Sequence, residues 1–199
     1  MSIVIPQRMC ITCNRRPKRC PIHGTSSCRH RASGKARCIF GSSDGNVYAL
    51  DAVTGGGLRW KSQTEDVVHS SPAIADGTLY IGRWDKFLYA LGAATGQEKW
   101  RFKTEDDPEY HNHVGIQSSP MVADGVVYFG SRDSYAYAVE AATGKQIWKF
   151  STGGSWVNNS SVVRDGQVYF GTSVPGLCML SRPKPARSFS MCRTFPTTT

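Results

Sequence analysis

Short apolar segments with alternating polar positions recur along the chain, and turn residues separate them. In one unit, residues 71–75, 79–82, 87–91 and 98–102 predict four β-strands, because each is short and rich in aliphatic and aromatic side chains. Asp76-Gly77 predicts a tight hairpin between the first two strands. The segments are too short for helices and lack a 3.6-residue period. The pattern therefore predicts an all-β fold.

The same markers return along the chain in a fixed order. The Tyr-Ala pair recurs at intervals of 41 and 48 residues, at Tyr48, Tyr89 and Tyr137. The Asp-Gly turn recurs at intervals of 48 and 41 residues, at Asp76, Asp124 and Asp165. A unit of 41 residues explains both series if one unit carries seven extra residues, between Lys103 and Ser118. Four antiparallel strands in a unit of this length predict a β-propeller blade.

The repeats occupy residues 39–180. They contain the last three strands of one blade, two whole blades and the first three strands of a fourth, which is expected to begin at 156–163. This predicts an incomplete propeller of about three and a half blades, whereas propellers usually close with about four to eight. Open strand edges can pair with another chain, so we expect a fragment or blades supplied by a second chain.

The net charge of +9 belongs to the ends of the chain. Residues 1–38 carry nine Lys and Arg, residues 181–199 carry four, and neither segment has an acidic residue. The repeats between them carry eleven basic and fifteen acidic residues. A nucleic-acid-binding domain concentrates its positive charge on the folded part, so no nucleic-acid partner is predicted. The C-terminal segment is a basic tail rich in Pro, Ser and Thr.

The N-terminal segment 1–38 is rich in Cys and Arg, and three interpretations of it remain open. It could result from an incorrectly bounded or frame-shifted gene model, so that it is no natural part of the domain. It could also be a disordered basic tail or a small zinc site. The zinc interpretation depends on thiol and imidazole groups, at Cys10, Cys13, Cys20, His23, Cys28 and His30. Their spacing fits no standard zinc finger, and no metal site is predicted.

Residues 70–100 contain Ser-Ser-Pro, Asp-Gly, Leu-Tyr-Ile-Gly, Leu-Tyr-Ala-Leu and Thr-Gly-Gln-Glu-Lys-Trp in this order. This ordered set resembles the blade of pyrroloquinoline quinone (PQQ)-type, or quinoprotein-like, propeller repeats. Proteins with such blades include quinoprotein dehydrogenases, an outer-membrane assembly lipoprotein and sensor domains of kinases. The resemblance implies a periplasmic, outer-membrane-associated or extracellular protein. The apolar run at residues 1–5 is shorter than the apolar region of about 7–15 residues in a secretory signal peptide. No apolar run reaches the ~20 residues of a membrane span.

The resemblance also implies a structural role for one Trp in each repeat, which would dock its blade onto the next. These residues are Trp60, Trp100 and Trp148, and the turn glycines before them are Gly55, Gly96 and Gly144. The family often has Asp at the start of this turn, which Asp51 keeps. Gly92 and Glu140 depart from it, so looser docking is expected there.

Two sets of loops share one face of a propeller: those that enter each inner strand and those between the second and third strands. The first set places His69, Gln117 and Asn159 in equivalent positions, and the second does so for Trp84 and Arg132. The candidate partner-binding residues are His69, Trp84, His111, His113, Gln117, Arg132, Trp156, Asn158 and Asn159. The alternatives are purely structural roles, in which the nearby Asp residues form turns and the Asn pair caps strand ends.

The seven-residue insertion contains acidic residues followed by His111 and His113. Two such histidines with nearby carboxylates could bind a divalent metal. A polar surface loop has the same composition, and it is the favoured interpretation.

Several dehydrogenase markers are missing from the sequence. Relatives that are quinoprotein dehydrogenases usually carry an adjacent Cys pair over the quinone and carboxylates for calcium, but this chain has no Cys-Cys pair. Cys10-x-x-Cys13 is followed by Asn14 instead of the His of a haem-attachment motif. We therefore assign no catalytic residue and expect no cofactor. The prediction is a non-catalytic propeller that binds a protein or peptide. The alternative is a piece of a PQQ-dependent alcohol or sugar dehydrogenase, whose full-length form could hold PQQ and calcium.

Overall fold

The computed structural model describes residues 26–27, 37–52, 57–64, 66–106, 115–173, 177–181 and 190–193. These residues form sixteen strands in four antiparallel sheets, and each sheet contains four strands in sequence order. Blade 1 comprises β1 Ser26–Ser27, β2 Arg37–Gly41, β3 Asn46–Asp51 and β4 Leu58–Gln63. Blade 2 comprises β5 Ala73–Ala75, β6 Thr78–Gly82, β7 Phe87–Gly92 and β8 Glu98–Lys103. Blade 3 comprises β9 Met121–Ala123, β10 Val126–Gly130, β11 Tyr135–Glu140 and β12 Gln146–Ser151. Blade 4 comprises β13 Val162–Arg164, β14 Gln167–Gly171, β15 Leu177–Ser181 and β16 Ser190–Arg193.

The prediction of an all-β fold made of four-stranded blades is confirmed, and two edge strands add to it. β1 pairs with β2, and β16 pairs with β15, so the first and last sheets also have four strands. Both added strands come from the segments 1–38 and 181–199, which carry no repeat marker. The fourth blade also begins later than expected. Its first strand starts at Val162, because residues 156–161 form the loop that leads into it.

The Asp-Gly pairs form the predicted two-residue hairpins. Both residues have a positive φ in each, for example 47° at Asp76 and 70° at Gly77. Ala75 and Thr78 face each other across this turn. Positive φ at both central residues is the geometry whose twist matches that of paired strands, and Asp-Gly sequences favour it.

The blades pack face to face, and this arrangement determines which strands are buried. Every residue of β6 and β10 is buried, because each of these strands is covered on both faces. The outer strand β8 alternates between exposed and half-buried positions. The first strands lie side by side at the other edge, where β9 contacts both β5 and β13. Three apolar clusters fill the seams between successive blades.

Tryptophans of the fourth strands lie in these seams. The Nε1 atoms of Trp60 and Trp100 donate hydrogen bonds of 3.2 Å to backbone carbonyl oxygens of the following blade. Trp60 faces Ala49 across its own sheet, and Trp100 faces Ala90. The small Ala side chains of the Tyr-Ala markers leave room on that face for the indole rings. A Trp at a seam combines a large apolar ring with one polar donor.

The Thr-Gly turns close through backbone bonds that need no Asp side chain. The amide of Gly96 donates to the carbonyl of Gly92 at 2.7 Å, and that of Gly144 donates to Glu140 at 2.8 Å. Both turns accept a docking indole at the same hydrogen-bond distance of 3.2 Å. The two departures from Asp therefore leave the turn intact. Gly55 lies outside the described residues.

Candidate partner-binding face

Backbone hydrogen bonds hold the two sets of loops together on one face. The amide of Trp84 donates to the carbonyl of Val67 at 3.2 Å, and that of Arg132 donates to Gly115 at 3.1 Å. The same bond recurs in blade 4, where Ser173 donates to Trp156 at 2.8 Å. In blades 2, 3 and 4, the loop between the second and third strands is thus fixed to the loop that enters the first strand. Side chains of successive blades are brought into reach of one another.

Four side chains from these loops form a continuous stack across three blades. The rings of His69 and Trp84 have centroids 5.3 Å apart. The guanidinium carbon of Arg132 lies 5.0 Å from the ring centroid of Trp84 and 4.1 Å from that of Trp156. A guanidinium between two indole faces makes cation–π contacts with both. We call these four residues the ladder. His69 is exposed, and the other three are half-buried.

Two donors within the ladder have no partner among the described residues. They are Nε1 of Trp84 and Nε of Arg132, and both atoms are shielded from solvent. Burial lowers the pKa of Arg132, and no acidic group in the described part of the chain opposes this effect. In the described ranges, Arg132 also forms no salt bridge. Among the described residues, the ladder therefore carries a positive charge without a counter-charge. Buried polar atoms without partners are rare in folded proteins, and each needs an explanation.

The aspartates that follow these loop residues bond within their own turns. Asp85 accepts from the amide of Phe87 at 3.0 Å and from the Tyr89 hydroxyl at 2.7 Å. The equivalent Asp133 accepts from the amide of Tyr135 and the Tyr137 hydroxyl. These carboxylates are therefore turn formers.

Asp133 differs from its equivalents because it is fully buried. Its second oxygen also accepts the amide of Glu105 at 3.0 Å, at the start of the insertion. Burial raises the pKa of Asp133 to about 6, although its hydrogen bonds act in the opposite direction. The insertion is therefore held to blade 3 at its first residues. His111 and His113 lie outside the described residues.

The equivalence of Asn159 with His69 and Gln117 is wrong by one residue. Ser118 lies twelve residues before Gly130, and its hydroxyl bonds both the amide and the carbonyl of that glycine, at 2.9 and 2.7 Å. Asn159 holds the same position relative to Gly171, where its amide group occupies the space that a Cβ would need. Asn158 is thus the residue equivalent to Gln117. Its side-chain Oδ1 is shielded and has no partner among the described residues.

Arg83, which precedes Trp84, was not predicted as a site residue. It is only 2% exposed, and its guanidinium carbon lies 3.7 Å from the ring centroid of Tyr89. Burial lowers its pKa, while Tyr89 and Asp85 act in the opposite direction. Blade 3 has Ser131 at this position, so no repeat marker indicates a cation here. The sequence feature that could have indicated Arg83 is a charged residue directly after the apolar strand β6.

A second concave surface lies between blades 2 and 3, at their Asp-Gly turns and therefore away from the ladder. Its volume is about 860 Å³, and residues of both charge signs line it, among them Asp124, Glu140, Lys99 and Lys145. Lys99 donates to the hydroxyl of Thr78 at 2.6 Å. None of the sequence candidates lies here.

Comparison with known proteins supports the assignment suggested by the repeats. The family model described as outer membrane protein assembly factor BamB matches residues 23–179. The chain belongs to this family. BamB of Burkholderia pseudomallei is 28% identical over 74 residues, which are 33% of this chain and 19% of that protein. The quinohemoprotein alcohol dehydrogenase of Comamonas testosteroni is 36% identical over 69 residues, which are 29% of this chain and 10% of that enzyme.

Solved structures of the same two kinds share the propeller fold. BamB of Moraxella catarrhalis matches with a TM-score of 0.65 and 17% identity, over 80% of this chain and 50% of that one. A quinohemoprotein alcohol dehydrogenase from Pseudomonas putida HK5 matches with a TM-score of 0.70 and 20% identity, over 81% of this chain and 33% of that one. This BamB-family chain thus spans half or less of the length of these relatives. The described ranges contain no helix capable of crossing a membrane.

The described residues of this BamB-family chain bring no set of carboxylates together that could hold a calcium ion. They contain no cluster of three or more His, Cys, Asp or Glu side chains placed to hold a metal ion. The carboxylates next to the ladder, Asp85 and Asp133, are engaged by backbone amides and tyrosine hydroxyls. The ladder itself offers a cation and aromatic faces.

Proposed function

We propose that the chain is a non-catalytic binding module whose ladder face recognises a peptide segment of a partner protein. The observation that supports this most directly is the ladder itself, in which Arg132 lies between Trp84 and Trp156. Trp and Arg dominate the binding energy of protein interfaces, because they combine large contact areas with directed polar groups. A stack that already holds its side chains in place loses little conformational entropy on binding.

Membership of a family described as an outer membrane protein assembly factor supports a role in the cell envelope. We therefore propose a periplasmic or outer-membrane-associated setting and a protein partner there. The full protein's partners belong to this proposal, since the chain spans only part of its relatives.

Selection of peptides from a random display library tests the proposal. We expect the chain to select peptides whose affinity falls about tenfold or more in Trp84→Ala and Arg132→Ala, the loss typical of central interface residues. Lys99→Ala is the matched control, because Lys99 lies at the concave surface away from the ladder. Denaturation curves establish that the variants fold. Selected peptides that bind all variants equally, or a selection that yields no binder, would contradict the proposal.

Quinone-dependent oxidation is a second candidate, favoured by the 36% identity with a quinohemoprotein alcohol dehydrogenase. A dye-reduction assay with PQQ, calcium and alcohols or aldose sugars tests it. Reduction that depends on the quinone would overturn the non-catalytic assignment. We expect none, because the described residues form no metal-binding cluster.

A further inference from the structure

We infer that the ladder binds a carboxylate of its peptide partner, with the guanidinium of Arg132 as the central contact. This inference rests on the proposed function and adds the chemistry of the ligand to it. The polar groups of Trp84 and Arg132 are donors only, since an indole and a guanidinium have no acceptor atom. The ligand group that they fit must therefore accept hydrogen bonds.

The charge of Arg132 selects among acceptors. No described carboxylate pairs with it, and its neighbour Asp133 bonds inward to the Tyr137 hydroxyl at 2.5 Å. The side chain of Arg83, on the preceding blade, also lacks a salt bridge, and its Nε and Nη2 atoms have no partner in the described ranges. Two cations that form no salt bridge among the described residues therefore lie on neighbouring blades. An anionic acceptor satisfies both the hydrogen bonding and the charge.

The two indoles determine how a ligand can approach. The ring centroids lie 5.0 and 4.1 Å from the guanidinium carbon, and because the N–H groups point outward in the guanidinium plane, a hydrogen-bonding ligand approaches along its edge. A carboxylate binds a guanidinium along this edge, through two parallel N–H···O hydrogen bonds. Between two aromatic faces such a bond is partly shielded from water, which strengthens it. A neutral amide of the same shape offers one oxygen and no charge, and we expect it to bind more weakly.

Three blocked tripeptides separate the sources of the carboxylate. Ac-Gly-Glu-Gly-NH₂ carries it on the side chain, Ac-Gly-Gln-Gly-OH at the C-terminus, and Ac-Gly-Gln-Gly-NH₂ lacks it. The readout is the indole N–H region of a two-dimensional NMR spectrum, in which each of the five Trp residues gives one signal. We expect the Trp84 signal to shift saturably with a carboxylate peptide, at an affinity about tenfold or more above that of the neutral peptide.

The variant Arg132→Gln should abolish the difference between the charged and neutral peptides. Arg164→Gln is the matched control, because it removes the same charge from an exposed side chain that is paired with Asp165 at 3.5 Å. The control should retain the preference in full. Arg132→Lys keeps the charge but cannot form two parallel bonds, and we expect an intermediate preference.

Different results separate failure of this inference from failure of the proposed function. Library-selected peptides that need the ladder but bind equally well with Glu or Gln would overturn the carboxylate and leave the binding module in place. Absence of any peptide binding would remove both. Saturable binding of PQQ at the Trp84 signal, without binding of the peptides, would assign the face to a small anionic ligand and overturn the peptide partner.

Discussion

The indole ring of Trp60 lies directly against the backbone of Gly96, in the next blade. A Cβ atom on Gly96 would lie only 2.5 Å from Cε3 of the ring. The ring's Nε1 donates to Ala93 in the same turn at 3.2 Å. Trp100 repeats the contact with Gly144, where a Cβ would lie 2.6 Å from the ring. The glycine of the Thr-Gly marker thus provides both a turn and a flat contact surface.

Gly96→Ala should lower the free energy of unfolding by about 2–4 kcal/mol, because it adds overpacking of the seam to the strain of a positive φ. The φ of Gly96 is 72°. Gly77→Ala is the control, since Gly77 has a φ of 70° but no atom within 4 Å of the added methyl group. Urea denaturation of both variants measures the difference. Equal losses would mean that the indole contact contributes nothing.

Tyr80 and Tyr128 hold equivalent positions in blades 2 and 3, and their hydroxyls differ. The Tyr80 hydroxyl donates to the carbonyl of Ala141 at 3.0 Å. The Tyr128 hydroxyl is shielded and has no partner among the described residues, and burial raises its pKa to about 12. Tyr80→Phe should therefore cost about 1 kcal/mol, whereas Tyr128→Phe should be neutral or stabilising. Thermal unfolding of the two variants gives the comparison, and a larger loss at Tyr128 would refute it.

Ser118 fixes the entry of the third blade to the end of its second strand. Its buried hydroxyl both donates to and accepts from Gly130. Ser118→Ala leaves a buried amide and carbonyl without these partners, so we expect a loss of about 1–3 kcal/mol. The exposed Ser160 in the next blade's entry loop is a suitable control, and Ser160→Ala should change stability little.

The buried Asp133 should make stability fall as the pH rises. Its pKa is about 6 in the folded chain and 3.8 in the reference state, so the folded chain binds more protons between these values. Its contribution is therefore fully present below pH 3.8 and is lost as the pH rises through 6, by about 3 kcal/mol. The difference between wild type and Asp133→Asn, measured by urea denaturation at pH 4 and pH 7, isolates this effect.

Asp44 provides a control of opposite sign for the same experiment. Hydrogen bonds from Tyr48, Ser42 and Asn46 outweigh desolvation and lower its pKa below 3.8. Its contribution to stability is present above that value and lost as the pH falls. If wild type and Asp133→Asn differ in stability by the same amount at pH 4 and at pH 7, the pKa of Asp133 is not raised by folding.

The fold was predictable from sequence because its determinants are local. A tight turn depends on the two residues of an Asp-Gly pair, and a docking Trp follows its glycine at a short distance. The edge strands β1 and β16 were not predictable, since neither contains the Tyr-Ala or Thr-Gly marker. The position of Asn158 was also missed. The spacing to the Asp-Gly marker gives it, since His69, Gln117 and Asn158 each lie seven residues before that marker, and the contact of Asn159 with Gly171 agrees with this register.

The candidate site was predictable only in part, for a related reason. The repeat placed Trp84 and Arg132 in equivalent loops, but their contact crosses from one blade to the next. Such a contact depends on the distance between neighbouring sheets. The number of residues in one repeat does not determine that distance. The burial of Asp133 likewise depends on Glu105, which reaches it from the insertion.

The contacts of Trp60 and Trp100 with the turn glycine of the next blade also bear on how such chains evolve. Blades 2 and 3 each present a Trp on one side and a Thr-Gly turn on the other, so the two halves of a junction come from different repeats. A gene segment of one repeat length can therefore be duplicated or lost without creating a junction of a new kind. Blade number can change in whole units, while the loops above the sheets diverge independently.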